Sequence, residues 1–198
     1  MGGYHANFTK GSLLVPESRV IARLLLNKPT NEEWNDAVVM RNVLQKRTVN
    51  TAVSLANLIR SRLQKVHQDL WVLVVSGSQE TTRQALLAAT VKQSPLLGDF
   101  MLLVLKDLFR NFEERLNPLL WEKYLEQVWT QNPSTPRWSD STVVNLRRTG
   151  FRILVESGFL ADTKSLQLKR VDVHPEVRSC LMDHQEKYAL ACLGVSIT

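Results

Sequence analysis

Residues 131–173 read QNPSTPRWSDSTVVNLRRTGFRILVESGFLADTKSLQLKRVDV. Pro133 and Pro136 sit among Asn, Ser and Thr, the composition of a linker. From about Asp140 to Ser157 apolar residues then recur every three or four positions, the period of an amphipathic helix, and Gly158 closes it. Beyond Gly158, Leu166-Gln167-Leu168 and Val171-Asp172-Val173 alternate as strands do, with the register broken at Lys169-Arg170. Residues 159–161 can pair back across the turn Asp162-Thr163-Lys164-Ser165. The spacing predicts one small β-hairpin near residues 159–173, and Pro175 opens a last helix.

Upstream of the linker the period is helical throughout. Pro16 opens a helix that Lys28-Pro29 ends. Thr30-Asn31-Glu32-Glu33 is a capping box for a helix to about Leu44. Thr48 caps the next, whose stripe is Ala52, Leu55, Ala56, Ile59, Leu63 and Val66. Residues 70–75 have no alternating partner nearby and are read as a helix ended by Gly77, after which Ser78 caps another. Ser94-Pro95 starts a long apolar helix to about Phe112, and Asn117-Pro118 opens one with Leu120, Trp121, Tyr124, Leu125 and Val128 on its stripe. The expected architecture is therefore mainly α, a helical domain over residues 1–132 and a second domain over residues 133–198. Helix, turn, helix and hairpin in that order make the second domain winged helix-turn-helix-like, a design whose second helix enters the major groove of DNA.

The helix from Asp140 has a face suited to that role. Val143, Val144, Leu146, Gly150, Phe151, Ile153, Leu154 and Val155 cover one arc. The opposite arc holds Ser141, Thr142, Asn145, Arg148, Thr149, Arg152 and Glu156. Hydroxyls suit phosphates, Asn suits adenine, and Arg suits guanine or phosphate. On the hairpin Lys164, Lys169 and Arg170 stand where a wing touches the backbone. Arg147 falls inside the apolar arc, where an unpaired guanidinium is very costly. Pairing with a carboxylate, Glu122 or Glu126 of the preceding helix being candidates, or snorkelling out past its neighbours is expected. The plainer alternative is an ordinary amphipathic helix packed on a hairpin.

Charge points the same way. The 198 residues carry 25 Lys and Arg against 19 Asp and Glu, a net +6. Residues 37–68 hold Arg41, Lys46, Arg47, Arg60, Arg62 and Lys65 and no acid, whereas ordinary surfaces mix signs. Residues 134–171 hold seven basic and three acidic groups. Lys46, Arg47, Arg60, Arg62 and Lys65 are therefore further candidate contacts to a polyanion, with double-stranded DNA the expected partner.

Other classes are excluded or unsupported. The strongest apolar runs, residues 70–75 and 100–105, are six long against the roughly 20 a bilayer span needs. No membrane span and a cytoplasmic location are expected. Gly2 precedes a myristoylation frame whose sixth position is Ala rather than Ser or Thr. Cys180 and Cys192 lack zinc-like spacing and read as free thiols. Cys180 and His184 share a helical face, but no third ligand is recognisable. Residues 70–78 lack the glycines and lysine of a phosphate loop. The five tryptophans read mostly as core, with Trp138 placed to seal the linker. No catalytic constellation, metal or cofactor is expected.

Several stretches also carry a family resemblance. They are Asn42-Val43-Leu44-Gln45-Lys46-Arg47-Thr48, Thr51-Ala52, Ile59-Arg60-Ser61-Arg62-Leu63, Leu96-Leu97-Gly98-Asp99-Phe100, Trp138-Ser139-Asp140-Ser141-Thr142, and Arg152 through Leu160. In this order, from about Lys10 to Val195, the chain resembles the BrxA family of bacteriophage exclusion (BREX) defence systems. The resemblance implies a small helical accessory protein likened to the NusB fold, with DNA binding expected. It also implies work beside a methyltransferase, an alkaline-phosphatase-like protein and ATPases of the same system. It brings no established catalytic residues. Members of the family have been labelled inner-membrane proteins, which the hydropathy contradicts. A non-enzymatic DNA-binding subunit, a protein–protein adaptor and an RNA-binding module remain the competing readings.

Overall fold

The structure, a computed structural model, describes residues 3–197; Gly2, the residue of the acylation frame that would be modified, lies outside the described residues. Local signals place most helices. Pro16 stands in the first turn of α1 (Val15–Leu26). The Thr30 hydroxyl accepts from the Glu33 amide while the Glu33 carboxylate accepts from the Thr30 amide, closing the box that starts α2 (Asn31–Asn35). A π turn, Asp36–Met40, carries α2 on, so this helix stops short of the expected Leu44. Thr48 caps α3 (Val49–Leu63) and Ser78 caps α5 (Gln79–Gln93). Between them, residues 70–75 lie in α4 (Gln68–Ser76), which Gly77 ends. The helix from Pro95 runs as α6 (Pro95–Phe100), a π turn at Met101–Leu105 and α7 (Lys106–Arg110).

α5 is the axis of the bundle. Ten of its residues, from Thr81 to Val91, are buried, and a helix buried all round belongs at the centre of a fold. It packs against α1, α3, α4 and α6, and also against α10 (Pro175–Asp183) and α11 (Lys187–Leu193). Gln84 explains part of this docking. Its buried side chain donates to the Asp172 carbonyl and accepts from the His174 amide.

A second cluster fixes the remaining helices. Trp121 and Tyr124 of α8 (Leu119–Gln131), Phe100 of α6, Phe151 of α9 (Asp140–Glu156) and Phe8 meet edge-on or tilted, with Phe100 and Trp121 centroids 4.9 Å apart. Aromatic pairs in these geometries add about 0.5–1.5 kcal/mol each beyond their buried area. One continuous apolar cluster thereby joins residues on both sides of the 131–139 linker. Trp121 is fully buried, whereas Trp34, Trp71, Trp129 and Trp138 are half-buried, so the tryptophans are less a core set than expected. Trp138 does pack on the linker's neighbour Trp129, whose indole donates to Pro136.

The expected hairpin is present only in miniature. Residues 159–161 and 166–168 pair through an antiparallel bridge, Leu160 to Leu168, with Ala161 donating to Gln167 and Lys169 to Phe159. On the other side Gln167 bridges to Arg115, a third segment that the alternation did not announce. Residues 171–173 form no strand. The Val171 amide is bonded instead to the Ser196 hydroxyl, and the Asp172 carbonyl to Gln84. Side chains from distant segments satisfy the backbone groups that a ladder would have used.

Candidate nucleic-acid interface

Ser139 caps α9 through the Thr142 amide, and Gly158, at φ +90, reverses the chain after it. Leu146, Gly150, Phe151, Ile153 and Leu154 face the core. Ser141, Asn145, Arg148 and Arg152 are exposed, and Thr142 is half-exposed. Val144 departs from its expected arc and is 48% exposed. Arg147 is half-buried and its guanidinium bonds the Glu122 carboxylate of α8 at 2.5 Å, the pairing that its place on the helix demanded.

Between α9 and the 162–166 turn lies an open groove of about 560 Å³. Its polar lining is Arg147, Arg148, Arg152 and Thr163, over an apolar floor that includes Phe151 and Leu166. No carboxylate lines it, although Glu122 neutralises Arg147 and Glu156 lies 3.4 Å from Arg152. Asn145 accepts from Arg148 at 3.1 Å, which holds that guanidinium along the helix. The rim is made rigid by Asp162. Its carboxylate accepts from the Ser165 amide and hydroxyl and from the Lys164 amide, which hold it below the usual carboxylate range. Lys164 is thus exposed on an ordered turn beside Thr163.

The other sequence candidates scatter. Lys169 is exposed. Arg170 is carried away from the groove. It bonds the Ser196 carbonyl, approaches the rings of Phe109 and Phe112, and lines two other depressions. In the acid-free segment Arg47 and Lys65 are exposed, and Arg60 lies over the Trp34 ring at 4.6 Å. Two candidates there need correction. Arg62 is 3% exposed and donates to the Gly11 and Ser12 carbonyls. Burial pushes its guanidinium down to about 10, with the Glu156 carboxylate opposing. It pins the N-terminal segment and cannot reach DNA. Lys46 is paired with Glu17 at 2.6 Å and half-buried, so it is not an open cation.

Neither thiol is activated. Burial pushes Cys180 up to about 11, with Asp69, Asp183 and Glu186 adding to it, and Cys192 up to about 12. Both are free. The fold does supply what the sequence could not show beside His184. Its ring stacks on His67, and both face the Asp69 carboxylate. Among the described residues no helix is long and apolar enough to cross a membrane.

The comparisons with known proteins agree over nearly the whole chain. Residues 2–185 match the BrxA family. The chain belongs to the BrxA family. It is 43% identical over 98% of both chains to the BREX protein BrxA of Paramagnetospirillum magneticum. It is 33% identical, over 86% of this chain and 80% of the relative, to the BREX protein BrxA of Escherichia coli O9:H4. A crystal structure of an uncharacterized protein from Magnetospirillum magneticum superposes with a TM-score of 0.91 at 42% identity, covering 98% of this chain and 99% of that one. Several stretches that first suggested BrxA prove to be structural fasteners. Asn42 bonds both backbone groups of Lys46, Arg62 holds residues 11 and 12, and Asp99 accepts the hydroxyls of Tyr4 and Tyr188.

Proposed function

We propose that this BrxA-family chain is a non-enzymatic, cytoplasmic DNA-binding subunit of a BREX phage-defence system, acting beside that system's other components. The carrying observation is the α9 groove, where Arg147, Arg148, Arg152 and Thr163 converge with no carboxylate among them. α8, α9 and the 159–168 turn have the order of a winged helix-turn-helix, preceded by a bundle of the kind likened to NusB, with the division at residues 132 and 133. In this arrangement α9 approaches the major groove with Ser141, Thr142, Asn145, Arg148 and Arg152, while Lys164 and Lys169 meet the backbone. The partner groups are mainly phosphates, because Arg148 and Asn145 already bond each other and Arg152 faces Glu156. Binding should therefore be weakly sequence-selective.

One observation favours a second reading. Val144, 48% exposed, and the floor residues Phe151 and Leu166 give the groove an apolar side suited to an acidic peptide of another BREX component.

Fluorescence anisotropy with a duplex, a single strand and an RNA hairpin at two salt concentrations separates these readings. The duplex should bind tightest. Arg148, Arg152, Lys164 and Lys169 offer three to four phosphate contacts, so log affinity should fall against log salt with a slope of about −3 to −4. Tighter binding to the RNA hairpin would move the reading to an RNA module. No binding to any of the three would favour the adaptor.

A further inference from the structure

His67 and His184, more than a hundred residues apart in sequence, come to one point on the surface. His67 is the residue before α4, and His184 the residue after α10. Their rings stack with centroids 3.6 Å apart and planes 20° from parallel. One oxygen of Asp69 lies 2.8 Å from His184 Nε2 and 3.3 Å from His67 Nδ1. The three donor atoms all lie within 4.8 Å of one another.

We propose that His67, Asp69 and His184 form a binding site for a borderline divalent cation of the zinc type, shared between α4 and α10. Two imidazoles and a carboxylate are the donor set that Zn²⁺ takes readily. Zn–N and Zn–O bonds of about 2.0–2.1 Å in tetrahedral geometry require donors roughly 3.3 Å apart. The observed 3.3 Å matches that edge and 2.8 Å falls short of it, so the rings must unstack by side-chain rotation for their in-plane lone pairs to converge on an ion. An ion at His67 Nδ1 would take the lone pair that otherwise accepts from the Asp69 amide. The helix ends divide their influence. The carbonyl end of α10 favours a cation beside His184, while the amide end of α4 opposes one beside His67. Asp69 supplies the negative charge between them. His67 and Asp69 are exposed, which gives an ion direct entry and leaves a fourth position for water. Cys180, one turn before His184, is not among the converging donors. The site shares no residue with the α9 groove, and its consequence is mechanical: it would clasp α10 to the α4 edge of the bundle.

The untagged full chain, stripped of metal with a chelator, is titrated with Co²⁺ and followed by its visible absorption, then with Zn²⁺ by calorimetry. One equivalent of each should bind, with absorption bands of a four-coordinate cobalt centre. Asp69→Asn and His184→Gln should each weaken binding by about tenfold or more. Cys180→Ser should bind as the unchanged protein does. Zn²⁺ should raise the melting temperature of the unchanged protein and leave that of His184→Gln where it was. Absence of saturable binding, binding unchanged in His184→Gln, or binding lost in Cys180→Ser would each overturn the assignment.

Discussion

The two basic segments of the chain, residues 37–68 and 134–171, carry the same kind of charge and meet different fates. Along the sequence the first is the purer, with six cations and no acid. In the fold it is not acid-free at all. Glu17 reaches Lys46, Asp36 reaches Arg41, Glu156 faces Arg62, and Trp34 lies under Arg60. The second segment keeps acids in its sequence and gathers three guanidiniums in one groove, where Arg147 meets Glu122 and Arg152 meets Glu156 but Arg148, among the described residues, bonds only the neutral Asn145. Counting charge along a chain therefore finds where cations are abundant. It does not find where they are uncompensated, because compensation comes from segments far away.

The sharpest break in this comparison is Arg62. Arg62→Ala would strip the Gly11 and Ser12 carbonyls of their donor and take away one of the cations that face Glu156, Arg152 being another. Loss of a buried, hydrogen-bonded charge of this kind should destabilise the fold by about 3 kcal/mol. Arg47→Ala, at an exposed position of the same segment, should stay within about 0.5 kcal/mol. Urea denaturation of both variants checks the contrast, and equal effects would mean that Arg62 is no fastener.

Within α9 a smaller and opposite effect is expected. A Cβ at Gly150 would meet Leu97 and Phe8 at 3.6 Å and Trp121 at 3.9 Å, ordinary contact distances. Gly150→Ala should therefore gain up to about 1 kcal/mol of helix propensity and raise the melting temperature by a few degrees without altering the outer face. A loss of stability would show that the aromatic cluster leaves no room there.

The groove's rim should respond to acid. Asp162 is held below its ordinary value of 3.8 by the Ser165 amide and hydroxyl and the Lys164 amide. A depressed folded pKa contributes stability that is present above the unfolded value and is lost as pH falls through the folded one. Hydrogen exchange at the Lys164 and Ser165 amides should thus show protection at pH 7 that fades as the pH falls below the ordinary carboxylate value of 3.8, and Asp162→Ala should remove it at every pH. Protection unchanged by that substitution would contradict this.

Much of the scaffold was legible because its signals are local. The caps at Thr30, Thr48, Ser78 and Ser139, the stripe of α3, the outer face of α9 and the Leu160–Leu168 pairing all follow from spacings of a few residues. Arg147 was legible as an arginine that must pair or snorkel out of an apolar arc, with Glu122 and Glu126 as candidate partners, and the fold selects Glu122. What escaped depends on separation in sequence. Nothing near Arg62 marks it as buried, nothing near Arg115 marks it as a strand partner of Gln167, and His67 and Asp69 lie more than a hundred residues from His184. Residues 171–173 alternate as a strand does, yet Gln84 and Ser196 capture their backbone first.

The central claim is that α9, and not the acid-free segment, leads DNA binding. It is tested most directly by measuring duplex affinity for two double charge reversals at one salt concentration. Arg148→Glu with Arg152→Glu removes two exposed cations of the groove, and Arg47→Glu with Lys65→Glu removes the two exposed cations of residues 37–68 that no ion pair or aromatic ring engages. The first pair should weaken binding by about 100-fold or more, since each reversal removes a phosphate contact and sets a carboxylate against the DNA backbone. The second should change it by about threefold or less. The reverse ranking would place the main site on residues 37–68 and contradict the account.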